Sequence, residues 1–172
     1  MQEVPKNNSV PELNIYYSGR IRDTALLPEL TEEVKDIADC YEWDYLLFNE
    51  GAPEPIQSEH NYDNHVYGIC LMPPGCPAID LCFQSNGNLI PHQHEYLYGH
   101  RKTKLDGCDV FFTFKINMFT AGVDMHRLII HLIKYLRKKY LTEFTFSDET
   151  GYWHTRSVKG LKEKFKHLQE TK

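Results

Sequence analysis

Two short runs of alternating apolar residues constrain the fold of this chain more than any other feature of its sequence. They lie at residues 67–71 and 79–83, and the loop between them contains "PPGCP". One antiparallel register places all of their large apolar side chains on one face, pairing Tyr67 with Phe83, Ile69 with Leu81 and Leu71 with Ile79. A shift of one residue would scatter these side chains over both faces, so the sequence predicts a hairpin in this register.

Hydrophobic periodicity predicts further elements on both sides of the hairpin. Strands are expected at 13–21, 44–50, 109–120 and 142–146, and helices within 24–43, 124–140 and 158–168. The tetrapeptide "SNGN" at 85–88 is typical of a second tight hairpin turn. The predicted order of elements is therefore β-α-β-β-β-β-α-β-α.

The longest predicted helix is expected to anchor the core. Asp124 is placed at its N-cap, and the helix runs to about Tyr140. Its apolar stripe consists of Met125, Leu128, Ile129, Leu132, Ile133, Leu136 and Tyr140. Full burial of each large apolar side chain contributes about 1.5–3 kcal/mol, which makes this helix the largest single source of buried apolar surface.

Consecutive hairpin-like strands with helices near both ends indicate an α+β fold. We expect a largely antiparallel sheet of five to six strands with helices packed on one face, in a single-domain sandwich. A chain of 172 residues suits one domain of this kind. Residues 1–11 are polar, contain two prolines and are predicted to form a disordered N-terminal arm, which leaves 12–172 as the domain.

Composition and charge argue against several classes of protein. A formal net charge of −5 disfavours a nucleic-acid binder, because phosphate affinity requires an excess of basic residues. The N-terminal segment lacks the apolar region of a signal peptide, and no apolar run is long enough to span a bilayer. Five cysteines without a C-x-x-C pair predict free thiols in a cytoplasmic protein. Together with the charge and the short apolar runs, this predicts a protein that engages neither membrane nor nucleic acid.

The stretch "FSDETGYWHTR" at residues 146–156 is the leading candidate for a ligand-binding site. The candidate side chains are Asp148, Glu149, Tyr152, Trp153 and His154. We expect the two carboxylates at the end of an interior strand, with Trp153 partly buried between the sheet and the last helix. The structural alternative is a capped turn in which Asp148 binds backbone amides and His154 points to solvent.

Two basic features are weaker candidates. Lys115, flanked by Thr113 and Asn117, could hold an anionic ligand, or it could be the solvent side of a one-sided sheet. The basic face of the long helix, which includes "YLRKKY", could bind an acidic partner or could be a solvated surface.

The histidines raise the question of a metal site. Those considered are His60, His65, His92, His94 and His100. An H-x-H pair on a strand places both imidazoles on one face, and histidine with carboxylate is a workable zinc set. The spacing matches no metal signature, so neither a metal nor a cofactor is predicted. Cys70 and Cys82 are interpreted as small packing residues.

No phosphate-binding loop, dinucleotide fingerprint or nucleophile motif occurs in the chain. The sequence therefore favours a non-enzymatic binding or regulatory module that engages a protein or small ligand. The alternative is a small metal-assisted hydrolase that uses histidines with Asp148 or Glu149.

Overall fold

The computed structural model describes residues 11–54, 65–94, 96 and 111–170. The predicted disordered arm lies outside these residues except for Pro11, so it remains a prediction. The polar segments at 55–64 and 97–107, which contain His60 and His100, also lie outside the described residues.

The described part of the chain contains both helices and antiparallel strands. The strands are β1 (Asn14–Ile21), β2 (Asp44–Phe48), β3 (Tyr67–Met72), β4 (Ile79–Phe83), β5 (Leu89–Ile90), β6 (Phe114–Asn117) and β7 (Leu141–Asp148). The helices are α1 (Leu27–Cys40), α2 (Gly122–Lys139), α3 (Tyr152–Thr155) and α4 (Val158–Glu170), and a 3₁₀ turn at Thr24–Leu26 precedes α1. The α+β class is confirmed.

The strands divide between two antiparallel sheets rather than joining in one. Three strands pair in the order β6-β1-β7, and four pair in the order β2-β3-β4-β5. An isolated bridge between Arg20 and Asn88 joins the sheets. Strands β2 to β5 each pair with strands adjacent in sequence. Strand β1 instead pairs with β6 and β7, which both lie in the C-terminal half of the chain.

The predicted hairpin register is confirmed. Tyr67 pairs with Phe83, Ile69 with Leu81 and Leu71 with Ile79. The "SNGN" turn is also present: the amide of Gln84 donates to the carbonyl of Asn88 at 2.9 Å, and Gly87 has φ +89°. That left-handed conformation favours glycine, as the sequence signal requires.

One main hydrophobic cluster lies between the sheets and the helices. It contains Ile15 and Tyr17 of β1, Ile69 of β3, Leu30 of α1 and Ile133 of α2. Polar contacts also tie the two long helices together. Lys139 Nζ lies 3.0 Å from carboxylate oxygens of both Glu29 and Glu33, and Tyr140 donates its hydroxyl to both glutamates.

Helix α2 begins three residues earlier than predicted. Ala121 occupies the N-cap position, so the assignment of Asp124 as the cap was wrong. Asp124 lies in the first turn instead, where its charge still favours the helix dipole. The stripe is buried from Ile129 to Tyr140, while Met125 and Leu128 are half-buried and His126 is fully buried.

Strand β6 is shorter than the predicted strand at 109–120. Its paired residues are Phe114 to Asn117, and Phe112 packs against a second small cluster that includes Val66 and Ile90. Because Phe112 packs on the four-stranded sheet, the chain joins the three-stranded sheet only after that residue.

Strand β7 lies at the end of its sheet, so its prediction as an interior strand was wrong. It pairs with β1 along its length, from Ile21 opposite Leu141 to Ile15 opposite Asp148. After Leu141, half-buried and exposed residues alternate along β7. This alternation is typical of a strand with one solvated face.

None of the helices in the described residues is long and apolar enough to cross a membrane.

Candidate functional site

Asp148 organises the turn that follows β7. Its carboxylate accepts hydrogen bonds from the amides of Thr150 and Trp153, both at 2.9 Å, and from the hydroxyl of Thr150 at 2.7 Å. Gly151, at φ +75°, lets the chain reverse into the single turn of α3. The capped-turn interpretation therefore describes Asp148 correctly.

The same carboxylate is paired with a histidine inside the protein. Asp148 Oδ1 lies 3.3 Å from Nε2 of His126, and both side chains are fully buried. Burial alone would raise the pKa of Asp148, but hydrogen bonds from His126, Thr150 and the Trp153 and Thr150 amides outweigh it and lower the pKa to about 2. These bonds stabilise the ionised form inside the fold.

The three aromatic candidates lie in different environments. Trp153 is 7% exposed, and its ring stacks on Phe146 with a centroid separation of 4.1 Å. Tyr152 is buried, and its hydroxyl lies 3.2 Å from Nε2 of His131. His154 is exposed. Burial of Trp153 beside Asp148 is confirmed, and its ring contacts Phe146 of β7 and Lys134 and Arg137 of α2. Its packing against the last helix stays a prediction.

Glu149 and Lys115 belong to a different surface. The carboxylate of Glu149 accepts from the amide of Asn14 at 2.7 Å and from the hydroxyl of Tyr16 at 3.2 Å. Lys115 lies opposite Tyr16 in β6, and its ammonium bonds to Glu12 at 2.6 Å. The hydrogen bond from Lys115 to Glu12 raises the pKa of that lysine. Its charge is therefore already compensated.

Beside Trp153 lies a cleft of about 480 Å³, which we call the basic cleft. Its lining residues are Arg22, Lys134, Arg137, Lys138, Trp153 and Arg156. Of the predicted site residues, Trp153 is the one that lines it.

Separate segments assemble the basic cleft. Lys134, Arg137 and Lys138 share one face of α2 because residues three and four apart are neighbours on a helix. Arg22 follows β1 and donates to the carbonyl of Lys138 at 3.2 Å, which holds it against the end of α2. Arg156 follows α3 directly, and its amide donates to the carbonyl of Tyr152 at 3.0 Å.

Trp153 positions two of the cations. The ammonium of Lys134 lies 4.9 Å from the centre of the indole ring and donates to the Trp153 carbonyl. The guanidinium of Arg137 lies 5.9 Å from the same ring centre. Cations over an indole face are attracted by its quadrupole, so the ring holds both charges at the cleft.

The basic residues of the cleft differ from most other basic residues of the described structure in having no ion-pair partner there. Those that pair with carboxylates are Arg20, Lys35, Lys115, Arg127, Lys139, Lys159 and Lys166. Within the described residues, none of the five basic residues of the cleft forms an ion pair. Burial, followed by repulsion from Arg156, lowers the pKa of Lys134. An anion bound here would relieve that repulsion.

Part of this cleft could be predicted from the sequence. The basic face of α2 was expected to contact an acidic partner or solvent. Arg22 and Arg156 were missed because each lies far from α2 in sequence. The available signal was the spacing of Lys134, Arg137 and Lys138, followed by Arg156 just beyond the predicted turn.

A second group of side chains could hold a metal ion. Cys70, Asp80 and His92 each offer one ligand atom, and these atoms lie within 4.8 Å of one another. Burial and the neighbouring Asp80 raise the pKa of the Cys70 thiol to about 12. His94 is buried and meets Phe112 edge to face, so the two histidines of the H-x-H motif have different neighbours.

Comparison with protein-family models, curated proteins and solved structures finds no match to this chain. The function must therefore be argued from the chain's own geometry. The basic cleft combines concavity, concentrated charge and fixed side chains, which makes it the leading candidate site.

Proposed function

We propose that this protein is a non-enzymatic binding module whose ligand is a small polyanion, with two or more phosphate or carboxylate groups, held in the basic cleft. The observation that carries this proposal is the set of five basic side chains that line one cleft without forming an ion pair within the described residues. Like charges brought together repel one another, and a bound anion offsets that repulsion.

The size and composition of the cleft support a small ligand. Its volume of about 480 Å³ lies within the range typical of small-molecule sites, roughly 300–1,000 Å³. Arg22, Arg137 and Arg156 each present a planar fork of donors that matches phosphate and carboxylate oxygens. Several cations at one site favour a ligand with several negative charges.

Charge recognition fits the cleft better than base stacking. Trp153 is only 7% exposed, and Phe146 is stacked on its ring, which leaves little indole surface for a nucleobase. Sequence-tolerant binding of single-stranded nucleic acid depends on exposed aromatic platforms along a basic groove. The overall charge of −5 also disfavours a nucleic-acid partner.

The hydrolase alternative gains no support at the two carboxylates that it names. Asp148 is buried and bonded to Thr150, Trp153 and His126, while Glu149 bonds to Asn14 and Tyr16. Both carboxylates thus have structural partners, and the carboxylate beside His92 is Asp80.

A cytoplasmic location is part of the proposal. Cys40, Cys70, Cys76 and Cys82 are free thiols in the structure, which suits a reducing compartment. Non-reducing mass spectrometry of the native protein tests this point, and two intact intramolecular bridges would contradict it.

Calorimetric titration with inorganic tripolyphosphate tests the binding function. We expect saturable binding to the wild-type protein that weakens as salt is added, because ionic interactions are screened. The double variant Arg137→Gln/Lys138→Gln should bind at least about tenfold more weakly, since each charge-assisted hydrogen bond contributes about 1.5–3 kcal/mol.

The double variant Lys162→Gln/Lys164→Gln is the matched control. It removes the same charge from exposed positions of α4 that lie outside the cleft lining. Binding should remain within about twofold of wild type, because distant charges are screened. Equal losses in the two double variants, or no saturable binding to wild type, would refute the proposal.

A further inference from the structure

We propose that Cys70, Asp80 and His92 form a Zn²⁺ site on the four-stranded sheet. The proposal is independent of the basic cleft. It rests on the placement of three potential ligands of different chemistry at one point of the fold.

The fold brings these residues together by strand pairing. Cys70 of β3 and Asp80 of β4 are directly opposite each other in the antiparallel ladder, so their side chains share a face. The short strand β5 pairs with β4, and His92 follows it two residues later. Nδ1 of His92 lies 2.6 Å from Oδ1 of Asp80, and the His92 amide lies 3.3 Å from the same oxygen.

The ligand atoms match the requirements of zinc. Thiolate, imidazole and carboxylate are its usual protein ligands, and atoms around a tetrahedral ion lie roughly 3–4 Å apart. All three atoms already fall within 4.8 Å of one another, so small side-chain rotations suffice to admit an ion. A thiolate also selects zinc over magnesium and calcium, which prefer oxygen ligands.

The surroundings explain why an ion would be retained. Asp80 is 7% exposed, and Cys70 packs in an apolar cluster with Val66, Cys82 and Ile90. A carboxylate in such surroundings requires a compensating positive charge. The side chain of His92 is 20% exposed, which gives the ion a route from solvent.

Binding proceeds by exchange of protons for the metal. The Cys70 thiol would lose its proton to solvent. Zn²⁺ would take the place of the proton between Asp80 and Nδ1 of His92, and that proton would move through solvent to Nε2 of the same imidazole. Three protein ligands leave a fourth tetrahedral position, which water fills. The ion thereby fastens the segment after β5 to the β3–β4 hairpin.

Titration of the untagged, metal-free full chain with Co²⁺ tests this site. Co²⁺ occupies tetrahedral zinc sites and reports a bound thiolate through a near-ultraviolet charge-transfer band. We expect one equivalent to bind with that band and with intense visible bands, and stoichiometric Zn²⁺ to abolish both. Cys70→Ser should lose the charge-transfer band, and His92→Gln should weaken Zn²⁺ affinity at least about tenfold.

Cys82→Ser and His94→Gln are the matched controls, because each removes a neighbouring buried side chain of the same type as a proposed ligand. Both should retain the wild-type spectrum. Since Cys70→Ser could fail to fold, the half-buried His92→Gln variant decides the outcome, with near-ultraviolet circular dichroism confirming its fold. Absence of the charge-transfer band in wild type, or wild-type affinity in His92→Gln, would overturn the proposal.

Discussion

At the scale of single residues, Asp148 links the packed interior to the basic cleft. Its carboxylate receives the amide of Trp153, and the carbonyl of Trp153 in turn accepts from Lys134. The backbone amide of Trp153 is thus bonded to a buried carboxylate, and its backbone carbonyl is bonded to a lysine of the basic cleft. Asp148, a predicted ligand-binding residue, thus fixes the backbone of Trp153.

The lowered pKa of Asp148 makes stability depend on pH. Its pKa falls from 3.8 to about 2 on folding, so its contribution is complete above pH 3.8 and is lost as the pH falls through 2. A difference of this size corresponds to about 2 kcal/mol for this fully buried group. Between pH 4 and pH 2, wild type should lose about that much more unfolding free energy than Asp148→Asn.

Urea unfolding of both proteins over this pH range measures the difference. The variant should also be less stable than wild type at neutral pH, because it loses a charge-assisted bond to His126. If the free energy of unfolding depended on pH in the same way in both proteins, the Asp148 carboxylate would contribute nothing to the pH dependence of stability.

At the scale of secondary-structure elements, the residue that ends α3 has an unfavourable backbone conformation. Arg156 follows the helix with φ +53°, a left-handed conformation in which glycine is favoured. An L-residue pays roughly 1–2 kcal/mol for that conformation. The guanidinium of Arg156 lines the basic cleft, so the strained position places a charge where the proposed ligand binds.

We therefore expect opposite effects of one substitution on stability and on binding. Arg156→Gly should raise the free energy of unfolding by about 0.5–1 kcal/mol and weaken tripolyphosphate binding. Arg156→Ala keeps the strained backbone but removes the charge, so it should weaken binding equally without the gain in stability. Urea unfolding and calorimetry of both variants check this, and unchanged affinity in both would exclude Arg156 from the site.

Elements with strong local periodicity could be predicted from sequence. The β3–β4 register follows from six alternating side chains, and the stripe of α2 follows from helical spacing. The errors occur where pairing partners are distant in sequence. The edge position of β7 depends on which strands pair with β1. The absence of Phe112 from β6 depends on its packing in a second hydrophobic cluster, which other segments of the chain form.

At the scale of the whole molecule, the candidate site could be predicted only in part. Trp153 and the basic residues of α2 were identified, but the cleft also requires Arg22 and Arg156 from separate segments. The metal cluster shows the same limit. The predicted register of the β3–β4 hairpin implies that Cys70 lies opposite Asp80, but the position of His92 beside them depends on a turn after β5 that hydrophobic periodicity does not predict.

The distribution of charge also emerges only in the folded molecule. The chain has a net charge of −5, and several of its carboxylates pair with basic residues outside the cleft. Five cations that form no ion pair within the described residues lie together at one cleft. Such a local positive field draws anions towards the cleft in a protein that is acidic overall.

Nuclear magnetic resonance mapping of a tripolyphosphate titration is the most direct test of the polyanion-binding function. Backbone and side-chain signals of uniformly labelled protein report the location of the ligand without any substitution. The largest shifts should occur at Arg22, Lys134, Arg137, Lys138 and Arg156 and at the indole of Trp153. Saturable shifts centred on the exposed lysines of α4, or no saturable shifts at all, would contradict the account.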